Sequence, residues 1–172
     1  MDARKKLHLG CGSQILDGYV NVDIVGGPGV DLVCDVAQGI PLETARFEEA
    51  LAVDFLEHVP PTRTIFVMNE IHRVLRPGGI LRAHVPEAPG ITACQDPTHV
   101  SFWNEETFTY FEAGHTRRER FGVSYGVTAA FRLRSFRRKR HLWKRFFSTG
   151  HPGYLWNFVI DVELEAVAPA ER

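Results

Sequence analysis

The segment from Leu7 to Asp35 constrains this chain more than any other. It opens with Leu7-His8-Leu9-Gly10-Cys11-Gly12, continues through Val20-Asn21-Val22-Asp23 and closes with Asp31-Leu32-Val33-Cys34-Asp35. This reads as a strand and a glycine turn, then a strand ending in an acid, then another strand ending in an acid. Glycine lets the backbone approach a ligand closely, because no Cβ intervenes. An acid at the carboxyl end of the next strand can accept from both hydroxyls of a ribose. A second acid, one strand later, can accept from an adenine amine. The order therefore suits a parallel sheet with a nucleoside held over its carboxyl edge.

Two later runs extend the pattern: Ala52-Val53-Asp54-Phe55-Leu56-Glu57-His58-Val59 and Glu70-Ile71-His72-Arg73-Val74-Leu75-Arg76-Pro77-Gly78-Gly79-Ile80-Leu81. With the first three motifs, in this order, the chain resembles the class I S-adenosylmethionine (SAM)-dependent methyltransferases of the small type 11 kind, over residues 5–112. The resemblance implies an α/β, Rossmann-like class I methyltransferase fold, with a mostly parallel sheet and an antiparallel β6–β7 edge. It implies SAM as cofactor, with Gly10, Cys11 and Gly12 under its amino-acid end and Asp23 on the ribose. Asp35 and the backbone of Val36 take the adenine position, and Asp54 or Phe55 walls the pocket beside the sulfonium. One departure stands out: the family usually carries an acid where this chain has His8.

At 172 residues, 44% of them hydrophobic, the chain fits one domain over 1–172. Residues 1–112 form the expected cofactor-binding core, and residues 113–172 a basic loop and edge strands. The stretch between Gly12 and Asp23 leaves room for at most a turn or two of a first crossover helix, since parallel crossovers normally take about a dozen residues or more. Little precedes the first strand, so no cap over the substrate is expected. No apolar run reaches the ~20 residues that span a bilayer, and residues 1–6 lack the apolar run of a signal peptide. Cys11, Cys34 and Cys94 are widely spaced, which suits a reducing, cytoplasmic setting and matches no zinc pattern. No metal is assigned.

Strands are expected at 5–9, 19–23, 31–35, 49–55 and 80–85, with a single helical turn at 43–47. The unbroken apolar run Ala50 to Val53 suggests a strand buried on both faces. Pro60-Pro61-Thr62 opens a helix whose stripe is Ile65, Met68, Ile71, His72 and Leu75, and Pro77-Gly78-Gly79 closes it. Asn104 suits the N-cap of a short helix that turns Phe108 and Phe111 inward. Alternation at Tyr125, Val127, Ala129, Phe131 and Leu133, and again from Phe158 to Leu164, predicts two late strands.

Candidate catalytic residues are His58, Asp96 and His99. Imidazole titrates near neutrality and can take a proton from an acceptor hydroxyl. Asp96 and His99 flank a Pro-containing turn, where the carboxylate can orient the ring; the same Asp-Pro can equally be plain turn chemistry. His58 can likewise be a base, a substrate ligand or a cap, and the resemblance adds one more alternative, since some small-molecule O-methyltransferases of this fold use a similar Glu-His pair near a divalent metal. Of 20 Lys and Arg and 21 acids, 11 cations and one acid fall between Gly114 and Arg145. Eight cations lie in the 14 residues Arg132–Arg145, with Phe136 and Trp143 interleaved. Such a run suits phosphates of a small substrate, of RNA or of an anionic surface, or is a solvated loop balanced by acids elsewhere. The favoured function is methyl transfer to a small polar acceptor, with O-methylation of a sugar or glycan precursor as its first form. The alternatives are an RNA methyltransferase and a non-catalytic SAM-fold subunit that binds nucleic acid or a partner through residues 132–145.

Overall fold

The computed structural model describes residues 3–140 and 158–168. Seven strands form one sheet: β1 (Lys6–Leu9), β2 (Tyr19–Asp23), β3 (Leu32–Val33), β4 (Phe47–Val53), β5 (Leu75–Pro86), β6 (Phe131–Arg140) and β7 (Phe158–Ala166). Their order is β3-β2-β1-β4-β5-β7-β6. Pairing is parallel from β3 to β5, and β7 runs antiparallel to both β5 and β6. This is the expected α/β architecture with its antiparallel edge. The helices are α1 (Thr64–Val74), α2 (Ile91–Cys94), α3 (Glu105–Phe108) and α4 (Thr116–Tyr125). None is long and apolar enough to cross a membrane.

Strand periodicity divides the sheet into two unlike faces. One carries Leu7, Leu9, Val20, Val22, Ala50, Ala52, Leu81, Ala83, Val162 and Leu164, all buried. Against it pack Val67, Met68, Ile71 and Val74 of α1, with Trp103, Phe108 and Phe111. The inward turn of Phe108 and Phe111 is as the sequence predicts; of the stripe expected for α1, Met68 and Ile71 are buried, Ile65 and His72 are partly exposed, Leu75 already belongs to β5, and Val67 and Val74 complete the buried face. Asn104 also caps as expected, accepting from the Thr107 N–H at 3.0 Å.

The other face carries ion pairs. Lys6 lies 3.9 Å from Glu49, and Arg82 lies 3.2 Å from Glu49 and also pairs with Glu163. A depression of about 380 Å³ on this face is lined only by strand residues, among them Leu51, Val53, Arg82, His84, Arg137 and Asp161. The cause lies in the connections. Residues 10–18 and 24–31, which join β1 to β2 and β2 to β3, hold no helix. The nine residues after Leu9 turn at Gly10 and run straight back, so the first crossover helix, expected to be a turn or two or missing, is missing.

Four expectations need correction. The apolar run in β4 is not buried on both faces: Ala50 and Ala52 are fully buried, while Leu51 and Val53 are half-exposed on the ion-paired face. The helical turn at 43–47 does not form; a 3-10 turn sits earlier, at Val36–Gln38, where the Asp35 carboxylate accepts from the Ala37 N–H at 2.9 Å. The early part of the alternation from Tyr125 to Leu133 is no strand. Tyr125 ends α4, Gly126 closes it in the left-handed region at φ 77°, and β6 begins at Phe131. The strand after α1 starts at Leu75 rather than Ile80, because residues 76–79 bulge out between two paired stretches.

Candidate active site

The glycine turn and the first acid meet. Gly10 and Gly12 have φ values of 64° and 49°, in the left-handed region that glycine enters at no steric cost. The Asp23 carboxylate accepts from the Gly12 N–H at 2.7 Å and from the Val25 N–H at 2.9 Å. Four lone-pair directions leave room for two hydroxyls beside these bonds. A Cβ built on Gly12 would touch nothing within 4 Å, so the space over this turn is open. A Cβ on Gly10 would come within 2.5 Å of Phe55 Cδ2, so the Phe55 ring closes the turn from the β4 side. Beyond Asp23, Ile24 is largely exposed, an apolar plate at the nucleoside end. A loop of open space, a partly exposed carboxylate and an exposed aliphatic plate fit a SAM nucleoside.

The neighbouring residues fill supporting places. Cys11 is buried, its N–H bonds Val22 O at 3.0 Å, and burial raises its thiol pKa, so it is a packing residue here. His8, in the place of the usual acid, is buried with Nδ1 3.3 Å from Asn21 Oδ1. Burial lowers its pKa, so the ring is held neutral where a family acid would be charged. Asp54 sits at φ 48° and is largely exposed, and its carboxylate lies 3.7 Å from His84 Nε2, toward the ion-paired face. Phe55, not Asp54, is the residue that packs on the glycine turn.

A second cluster forms where the turn after β4 meets the loop after β5. Both the Val100 and Ser101 N–H groups donate to the Glu57 carbonyl at 2.9 Å. Ser101 Oγ bonds the Val59 carbonyl and lies 3.3 Å from Thr64 Oγ1. These bonds bring together residues that stand about forty positions apart. His58 and His99 meet edge to face, with ring centroids 4.9 Å apart. His58 Nδ1 lies 3.2 Å from both the carbonyl and the hydroxyl of Thr98. His99 Nε2 lies 4.0 Å from Asp96 Oδ2. Asp96 accepts from the Thr98 hydroxyl at 2.6 Å and its N–H at 2.8 Å, and these bonds hold its carboxyl below the usual range. Asp96, His58 and His99 are thus convergent, and the turn chemistry is present as well.

Glu57 was not among the expected site residues. It is 1% exposed, and among the described residues neither carboxylate oxygen has a hydrogen-bond partner. Burial, with Asp54 and Asp96 nearby, pushes its carboxyl up to about 7. Its donor atoms and those of His58 and His99 lie within 4.8 Å of one another. Nothing in the Phe55-Leu56-Glu57-His58 run marks the acid as buried, because the loop at 96–101 that covers it is distant in sequence.

The basic run is mostly spoken for where the structure describes it. Arg132 and Arg134 pair with Glu165, Arg138 with Glu87, and Lys139 with Asp161 at 2.5 Å. The remaining part, residues 141–145 with Trp143, lies outside the described residues.

Residues 19–83 match the family model described as a methyltransferase domain. A comparison with curated protein sequences finds no match. Among solved structures, a SAM-dependent methyltransferase from Methanosarcina mazei is 15% identical, with a TM-score of 0.61 over 97% of this chain and 94% of that one. The 1,6-didemethyltoxoflavin-N1-methyltransferase of Burkholderia thailandensis, with its bound substrate and S-adenosylhomocysteine, is 16% identical, with a TM-score of 0.56 over 95% of this chain and 71% of that one. A variant 16S rRNA (adenine(1408)-N(1))-methyltransferase from Catenulisporales acidiphilia, with SAM, is 12% identical, with a TM-score of 0.58 over 98% and 88%. The sheet order and the glycine turn with its acid accompany the match to the methyltransferase-domain model over residues 19–83, and the fold is that of these solved SAM-dependent methyltransferases.

Proposed function

We propose that the chain moves the methyl group of SAM to a hydroxyl of a small polar acceptor, a sugar or glycan precursor being the first class to test. The observation that carries this reading is the convergence of His99, His58 and Asp96 beside the turn that follows β4. In-line attack needs little more than positioning, because the sulfonium is a good leaving group. A hydroxyl acceptor adds one requirement, a group to take its proton. His99 is that group, and the Asp96 carboxylate at 4.0 Å stabilises the imidazolium it becomes. The oxygen bonds to the methyl carbon, and the C–S pair stays on sulfur as S-adenosylhomocysteine.

At the cofactor end, Asp23 takes the ribose hydroxyls, Asp35 and the Val36 backbone take the adenine edge, and the turn Gly10-Cys11-Gly12 lies under the methionine portion. Solved neighbours of this fold include a small-molecule enzyme and an rRNA enzyme, so the fold does not choose between acceptors. Two observations favour the small acceptor. The histidine cluster suits hydroxyl chemistry, and four cations of the basic run already face acids of this chain.

The test is release of S-adenosylhomocysteine from the full chain offered sugar nucleotides, free polyols and total tRNA in parallel. Turnover on a hydroxyl acceptor that falls by roughly 10²–10⁴ in His99→Ala supports the reading, provided that SAM affinity in that variant stays within a few-fold. Turnover confined to RNA, or unchanged in His99→Ala, rejects it.

A further inference from the structure

We propose that Glu57 is the positioning residue of His99: its carboxylate accepts the hydrogen of Nδ1 and leaves the Nε2 lone pair free for the methyl acceptor. This role rests on the reading of His99 as the base. Which nitrogen of a histidine carries the hydrogen is set by the bond that the other nitrogen makes. A base that works through Nε2 therefore needs an oxygen behind Nδ1.

The two groups are both left over. Both oxygens of Glu57, and Nδ1 of His99, are buried without a hydrogen-bond partner among the described residues. Burial in that state is costly for each, and one N–H···O bond between them relieves both. They belong to one cluster, in which donor atoms of Glu57, His58 and His99 lie within 4.8 Å of one another. A hydrogen bond is shorter, at about 2.7–3.2 Å, so the side chains have to draw in. Catalytic hydrogen bonds are often long before substrate binds and tighten in the complex.

The other members of the cluster do not serve. His58 Nδ1 lies 3.2 Å from the Thr98 carbonyl, which can only accept. It lies as far from the Thr98 hydroxyl, whose own hydrogen goes to Asp96. Nδ1 of His58 therefore carries the hydrogen of the neutral ring, and its Nε2 has nothing to donate to Glu57. Asp96 stands on the opposite side of His99, 4.0 Å from Nε2. Its carboxylate is half-exposed and already accepts from the Thr98 hydroxyl and N–H. At that distance it stabilises an imidazolium by charge but does not hold a hydrogen in place. Asp54 turns away toward His84. One buried acid thus stands behind the ring and one exposed acid before it. The bond needs the ionised carboxylate: as an acid, Glu57 would donate to Nδ1 and put the ring hydrogen on Nε2.

The experiment is heteronuclear NMR of the full chain carrying isotope-labelled histidine, at about pH 8.5, above the Glu57 value of about 7. The ring signals of His99 are identified by their loss in His99→Ala. The unaltered chain is expected to carry the His99 hydrogen on Nδ1. In Glu57→Gln the amide can donate as well as accept, and the preference for Nδ1 should fall at least about tenfold. Asp96→Asn should leave that preference unchanged. If Glu57→Gln does not fold, Glu57→Asp, which draws the carboxylate back by one methylene, takes its place with the same loss expected. A hydrogen on Nε2 in the unaltered chain overturns the proposal without any variant. An Nδ1 hydrogen that survives in Glu57→Gln, or that is lost in Asp96→Asn, overturns it as well. With a hydroxyl acceptor, Glu57→Gln should lower kcat at least about tenfold with KM within a few-fold; a loss confined to KM counts against the positioning role. The tautomer is read without an acceptor, so its failure counts against Glu57 alone. Absence of methyl transfer to hydroxyls counts against the earlier reading alone.

Discussion

The two faces of this sheet are held by different physics. The covered face is apolar from β2 to β7 and packs on α1 and on Trp103, Phe108 and Phe111. The opposite face is a lattice of paired charges: Glu49 with Lys6 and Arg82, Glu163 with Arg82, and Asp161 with His84 and Lys139. Parallel sheets normally bury both faces under helices. Among the described residues one layer of helices packs on the sheet, and the other face carries ion pairs that water can cover. The glycine turn stands on the rim between them, where no helix follows β1 and Gly12 is exposed.

The comparison breaks most easily at its strongest point. Phe47, fully buried in the covered face, should cost about 3–5 kcal/mol on replacement by alanine, measured by chemical denaturation. A loss below 1 kcal/mol would show that the apolar layer is not the principal support. At the rim, Asp23→Ala should lower SAM affinity by about 2–4 kcal/mol in a folded protein, because a charge-assisted pair of bonds to the ribose disappears. Unchanged affinity by calorimetry removes the ribose role from Asp23.

Next in size is Gly10→Ala. A left-handed residue with a side chain costs roughly 1–2 kcal/mol, and the new methyl also meets Phe55. The expected result is lower stability with a disproportionate loss of SAM binding; an unaltered melting temperature would show that the turn relaxes freely. On the charged face, Arg82→Ala should change stability by no more than about 1 kcal/mol, and that small effect should shrink in molar salt. A loss as large as that at Phe47 would erase the distinction between the faces.

Acid should also distinguish them. Asp161 is partly desolvated, which raises its pKa, but its bonds to His84 and Lys139 outweigh this and leave it below the usual carboxylate range. The Arg4 guanidinium does the same for Asp31. A carboxyl with a depressed folded pKa contributes stability above its unfolded pKa and loses it as pH falls through the folded value. Melting curves from pH 5 down to pH 2 should therefore fall less steeply in Asp161→Asn than in the unaltered chain. Parallel curves would mean that this pair adds nothing to folding.

Much of this was legible in the residues. β1, β2 and the acids that end β2 and precede the 3-10 turn could be read directly, because glycine turns and strand-terminal acids leave local signals. The stripe of α1 and the Asn104 cap were equally local. What escaped depends on distance. Leu51 and Val53 look like core because the sequence does not reveal that no helix covers them. α4 hides in Thr116–Tyr125, whose arginines and exposed Val123 and Tyr125 blur any helical stripe. Glu57 looks like a surface acid until the loop from residue 96 closes over it. His58, Asp96 and His99 were legible as residue types, but the contacts that bring them together, among them the backbone bonds from Val100 and Ser101 to Glu57, join segments about forty residues apart.

Among the described residues the strand order leaves β6 at the end of the sheet, with Phe131 bridged to Glu112 and the edge beyond it open to pairing. Such an edge is a template on which another chain can add a strand. Six of the ten residues are Arg or Lys. Two such edges brought together in a centred antiparallel register would set cation against cation at Arg132 opposite Lys139 and Arg134 opposite Arg137. The run that looks like a grip for anions thus also makes pairing between two such edges less favourable.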